Sequence, residues 1–115
     1  MDDLIPAVLK FRDERDWRQF HNPKDLAISI TLEAAELLEQ FQWKAPEEVE
    51  ALLKREECRK RIGEEMADVL ILLISLADVV GLDLLEVARA KLDENARKYP
   101  VDRARGNAKK YDELG

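Results

Sequence analysis

Gly63-Glu64-Glu65-Met66-Ala67-Asp68-Val69-Leu70-Ile71-Leu72-Leu73-Ile74-Ser75-Leu76-Ala77-Asp78-Val79-Val80-Gly81 is the passage whose reading decides the fold. Its apolar run, Val69–Ala77 interrupted only by Ser75, is far shorter than the roughly 20 residues a membrane span needs. It reads instead as the buried part of a long helix predicted over Glu57–Val80, with Gly81 placed to end it in the left-handed conformation. A helix apolar on nearly every side must be covered on several sides. Ile62, Met66, Val69, Leu72, Leu73 and Leu76 define the expected packing surface, and Glu65 and Asp68 fall beside or within it.

Working outward, Asn22-Pro23 supplies an N-cap and first-turn proline for a helix running to about Gln40. Along it Leu26, Ile30, Glu33, Leu37 and Gln40 share a face by 3–4 spacing, so Glu33 sits inside an apolar stripe flanked by Glu36. Asp2 or Asp3 can cap a first helix expected to end near Trp17 to Phe20. Pro46-Glu47-Glu48 opens a short charged helix. Asp83 can cap a fourth major helix over Leu84–Lys98, which stops before Tyr99-Pro100. Residues 101–115 read as a polar tail. Four glycines, four prolines and no lasting β-alternation make this an all-α chain forming a four-helix-bundle-like single domain over residues 1–115.

Acidic residues outnumber basic ones 25 to 19, a net charge of −6, which argues against a surface built to grip a nucleic acid polymer. The single cysteine, Cys58, has no disulfide partner and no neighbours spaced for zinc. With no basic n-region followed by an apolar stretch at the N-terminus, a secretory signal is not expected. The expected compartment is the cytoplasm, with no membrane partner.

Glu33 and Glu36 are three residues apart, as are Glu65 and Asp68, so each pair projects over one patch of its helix. Either pair alone is ordinarily a solvated face in a chain with 38% charged residues. Four carboxylates on the apolar sides of the two most apolar helices are costly unless a cation compensates. Oxygen-only ligands suit Mg²⁺, with Mn²⁺ as a substitute. From the residues alone, a metal site and a set of ordinary ion pairs both stay open. A ferritin-like di-iron site would need Glu-x-x-His ligands, and the only histidine, His21, lies outside both clusters.

Leu32-Glu33-Ala34-Ala35-Glu36-Leu37 followed by Glu64-Glu65-Met66-Ala67-Asp68-Val69-Leu70 resembles the E-x-x-E…E-x-x-D signature of MazG-like nucleotide pyrophosphohydrolases. Arg15-Asp16-Trp17, Phe20-His21-Asn22-Pro23, Glu39-Gln40-Phe41-Gln42-Trp43 and Lys91–Pro100 look like the dCTP pyrophosphatase branch. The resemblance implies hydrolysis of a nucleoside triphosphate to the monophosphate and pyrophosphate. It implies Glu33, Glu36, Glu65 and Asp68 as Mg²⁺ ligands, with one acid doubling as general base, a role expected of Glu36 as the acid nearer the rim. It further implies Trp43 as a base-stacking ring, Lys91 and Asn95 as phosphate or sugar contacts, and Trp17, His21 and Lys98 as further pocket residues. The branch commonly carries an aromatic at the position of Leu72 and a polar residue at that of Val8, so the base selected does not carry over.

The rival readings are a catalytically silent helical dimerisation module, and a related pyrophosphatase acting on dUTP or phosphoribosyl-ATP. The apolar Val69–Val80 helix in so short a chain also predicts a homo-oligomer, a dimer at least and a tetramer of paired bundles by expectation.

Overall fold

Asn22 is in extended backbone and its side-chain Oδ1 accepts the Asp25 amide at 2.8 Å, which with Pro23 in the first turn starts the helix that sequence reading placed there. The computed structural model describes residues 3–106, 108–110 and 112. Its helices are α1 (Leu4–Glu14), α2 (Pro23–Glu39), α3 (Pro46–Leu53), α4 (Glu56–Val80), α5 (Leu84–Lys98) and α6 (Val101–Ala104), with a 3₁₀ turn over Arg18–Phe20. Among the described residues there is no strand, and no helix is long and apolar enough to cross a membrane. The chain divides into two compact units, one up to Gly81 and one from Leu82.

In the first unit α4 is the spine. The helix α2 packs along it most extensively, and α1 and α3 contact it over shorter lengths. The inner stripe of α2 is Leu26, Ile30, Glu33, Leu37 and Gln40, as the 3–4 spacing predicts; Leu26 is buried and the others are half-buried. On α4 the most buried side chains are Ile74, Ser75 and Ala77, whereas Met66, expected in the packing face, is 56% exposed. A helix apolar nearly all round has no polar face to phase the pattern, so periodicity alone misplaced its innermost stripe.

The first helix ends at Glu14, earlier than expected. Asp16 adopts a left-handed φ of 55°, the Asp16 amide donates to the Asp13 carbonyl at 3.1 Å, and the Trp17 amide reaches back to the Arg12 carbonyl at 3.1 Å. That is the Schellman pattern, with aspartate in place of the usual glycine. Asp3 stands at the N-cap of α1 without a side-chain capping bond; Asp2 lies outside the described residues. The long helix α4 ends at Gly81, whose φ of 75° is left-handed as foreseen.

In the second unit the Asp83 side chain accepts the Glu86 amide at 3.1 Å and opens α5. Glu94 draws Lys91 at 3.5 Å and Lys98 at 3.2 Å into an ion-pair row along the helix. Within the segment read as a polar tail, Val101–Ala104 forms one helical turn, with the Pro100 carbonyl accepting the Arg103 and Ala104 amides at 3.0 and 2.8 Å. A proline at the N-terminal edge interrupts α5 yet costs a following turn nothing, because its missing N–H would be unpaired there.

Candidate metal centre and nucleotide site

Packing of α2 on α4 sets Glu33 and Glu36 against Glu65. The three residues each offer a carboxylate oxygen, and these oxygens all lie within 4.8 Å of one another. Glu33 and Glu65 are half-buried and Glu36 is exposed. One oxygen of Glu33 and one of Glu65, Oε2 in each, is buried without a hydrogen-bond partner. Asp68, one turn along α4 from Glu65, is exposed and is not a member of this trio, but its charge is felt at Glu33.

The electrostatics carry the mark of crowded like charge. Burial, then the adjoining Glu36, pushes the Glu65 carboxyl up to about 7, and Glu33 adds to the effect. Burial also raises Glu33, with Glu36 and then Asp68 contributing. Carboxylates sharing a site out of water cannot all ionise cheaply. Two buried oxygens lacking donors, in a trio of oxygen-only ligands with raised proton affinity, fit a hard divalent cation.

Trp43 follows α2 in a left-handed conformation, φ 63°, and its ring is 92% exposed. A bulky residue at positive φ is held there by its surroundings; the Lys44 amide bonds the Phe41 carbonyl at 3.2 Å and the Gln42 amide that of Leu38 at 2.9 Å. Trp17 is 44% exposed and stands edge-on to Phe11, centroids 5.7 Å apart. Beside that pair a cavity of about 250 Å³ is lined by Ala7, Val8, Phe11 and Ile71. His21 is half-buried, its Nδ1 has no partner among the described residues, and burial and then the charge of Arg12 hold its pKa below the usual histidine value. Lys91, Asn95 and Lys98 lie along α5 in the second unit, the two lysines paired with Glu94.

Sequence reading missed Arg12. It is 3% exposed, and its Nη1 donates to Asp78 of α4 at 2.7 Å while its Nε donates to Asp13 at 2.9 Å. The available signal was a pair of interruptions: an arginine one turn beyond Val8 on α1, and Asp78 as the one acid in the Val69–Val80 run.

The chain belongs to the MazG-like family, whose model matches residues 28–114. It is 41% identical to dCTP pyrophosphatase 1 of Bos taurus over 99% of this chain and 68% of that protein. To dCTP pyrophosphatase 1 of Homo sapiens it is 40% identical over 99% of this chain and 67% of that protein. Among solved structures, a pyrophosphatase from Archaeoglobus fulgidus superposes with a TM-score of 0.78 at 44% identity, covering 87% of this chain and 92% of that one.

Proposed function

We propose that this chain hydrolyses a nucleoside triphosphate, dCTP or a modified relative, to the monophosphate and pyrophosphate, with Mg²⁺ as its cation and nucleotide-pool house-cleaning as its duty. The observation that carries the reading is the Glu33–Glu36–Glu65 trio with its two partnerless buried oxygens, in a chain whose relatives are pyrophosphatases. Glu33, Glu36 and Glu65, joined by Asp68, would hold the cation. A divalent ion so held supplies positive charge for the phosphates and Lewis acidity toward water. Glu36, the exposed acid of the trio, is assigned to accept the proton of the attacking water, because solvent-side placement gives it access to one.

Trp43 is assigned to stack on the base. Its exposed ring is free to do so, and stacking tolerates any base. Trp17 and His21 are assigned to the pocket wall. Lys91, Asn95 and Lys98 are assigned to phosphate or sugar on the family resemblance alone. The chain is taken as one MazG-like domain acting as a homo-oligomer. The support is a second, uncovered apolar stripe on α2: Lys24, Ala27, Ile28, Thr31 and Leu32 line a groove of about 360 Å³, with Ile28 48% and Leu32 60% exposed. A silent dimerisation module would explain that groove but not the partnerless acid oxygens.

The deciding experiment is pyrophosphate release across the common NTPs and dNTPs, with and without Mg²⁺, beside Glu36→Ala and Asp68→Ala. Mg²⁺-dependent release that both variants lose is expected; equal release by all three proteins overturns the four-acid mechanism. The dNTP profile, with phosphoribosyl-ATP added to the panel, separates the dCTP reading from the dUTP and phosphoribosyl-ATP readings.

A further inference from the structure

We propose that Arg12, Asp78 and Arg18 are positioning residues, a clamp that sets the Arg15–His21 turn and so fixes Trp17 at the substrate pocket. The proposal rests on the assignment of Trp17 to that pocket.

A guanidinium as buried as that of Arg12 is a poor device for stability, since apolar side chains of similar volume usually serve as well or better. What an ion pair adds is direction. Asp78 Oδ2 receives Arg12 Nη1 from α1 at 2.7 Å and Arg18 Nη1 from the 3₁₀ turn at 3.4 Å. A single carboxylate oxygen on α4 therefore ties α4 to α1 and to the turn between α1 and α2.

The backbone of the same arginine carries the turn itself. The Arg12 carbonyl accepts the Trp17 amide at 3.1 Å and the Arg15 amide at 3.2 Å. Trp17 thus hangs from a residue whose side chain is anchored 66 positions away in sequence. Its ring is nearly half exposed and meets Phe11 only edge-on, so core packing does not locate it. Arg15, stacked 3.7 Å above the other ring of that pair and bonded to the Phe11 carbonyl at 3.0 Å, closes the turn from the solvent side. Loosening the clamp would free the Trp17 ring without emptying the core.

The test uses the full chain and dCTP with Mg²⁺. Arg18→Ala removes the tie to the turn and spares the buried pair, because Arg18 is itself exposed. The double variant Arg12→Leu/Asp78→Leu replaces the pair by apolar packing. Trp17→Ala is measured alongside. Expected are KM values raised about tenfold with kcat within about twofold in Arg18→Ala and in the double variant, the signature of lost binding rather than lost chemistry. In a Trp43→Phe background, where Trp17 is the only tryptophan, the emission of both should shift to the red without nucleotide, a readout that a mere strut would not move. Wild-type KM and emission in these variants, beside a raised KM in Trp17→Ala, overturns the clamp alone. Wild-type KM in Trp17→Ala overturns the pocket assignment and the proposal with it. If the double variant does not fold, Arg18→Ala decides.

Discussion

Glu33 of α2 and Glu65 of α4 offer carboxylate oxygens within 4.8 Å of each other, and each keeps a buried Oε2 that nothing in the described protein satisfies. Such an arrangement is unfavourable without a cation, so a cation joining the two helices, as proposed, would couple its binding to folding. Mg²⁺ at about 100 times its dissociation constant should stabilise the fold by about 2.7 kcal/mol. For a domain of this size that is on the order of 10 °C in Tm. Thermal melts in EDTA and in Mg²⁺ read this directly, and Glu33→Gln or Glu65→Gln should lose most of the shift. A wild type indifferent to divalent ions contradicts the assignment.

The raised Glu65 carboxyl gives the metal-free protein a defined pH response. Its folded pKa of about 7 lies above the ordinary 4.5, so the native state holds a proton that the unfolded chain releases. The resulting stability is fully present below about pH 4.5 and is lost as pH rises through about 7. His21 acts in the opposite sense: its lowered pKa removes stability as pH falls through its unfolded value near 6.5. Comparison with Glu65→Gln isolates the carboxyl. In EDTA the variant should be the more stable protein at about pH 8 and should lose that advantage by about pH 5. An advantage equal at both pH values would show that Glu65 does not titrate in this window.

Trp43→Ala should raise KM for the nucleotide with little change in kcat. A base-stacking contact is worth about 1–3 kcal/mol, roughly 5- to 150-fold in affinity. Because the ring is 92% exposed, Tm should scarcely move. Steady-state kinetics beside a melt separates the two effects, and an unchanged KM removes Trp43 from the base site.

Two left-handed positions predict stability changes of opposite sign. Gly81 has a φ of 75° and open space where a Cβ would stand, so Gly81→Ala should cost about 1 kcal/mol through backbone strain alone. Asp16, at φ 55°, bears that strain already, and Asp16→Gly should return a few tenths of a kcal/mol despite the added freedom of the unfolded chain. Denaturant midpoints at unchanged m-value measure both. A stabilising Gly81→Ala would be incompatible with the helix ending described.

Much of this was legible in the chain because its signals are local. Asn22-Pro23, Pro46, Gly81 and Asp83 mark helix edges through one-residue chemistry, and the 26–30–33–37–40 stripe needs only a period. What escaped was the non-local or the atypical. Asp16 ends α1 in a conformation normally announced by glycine, and the helix therefore read too long. Arg12 carries no local mark of burial, since its partner Asp78 lies on another helix. The innermost face of α4 had no polar side to phase it. Of the candidate site, the Glu33–Glu36–Glu65 grouping follows from spacing once α2 and α4 pack together. The 3–4 spacing also set Glu33 within the α2 stripe and Glu36 at its flank, as the half-buried Glu33 and exposed Glu36 have it, whereas Asp68, expected beside Glu65 in the packing surface, is exposed and outside the trio.

The exposure of Trp43 has a consequence for how this protein can change. A ring that buries almost nothing in the free chain lends the scaffold almost no stability. Position 43 is thus a dial mounted outside the housing: if its ring stacks on the base as proposed, exchange among Trp, Tyr, Phe and His would alter how firmly a base is gripped while the helices beneath keep their register.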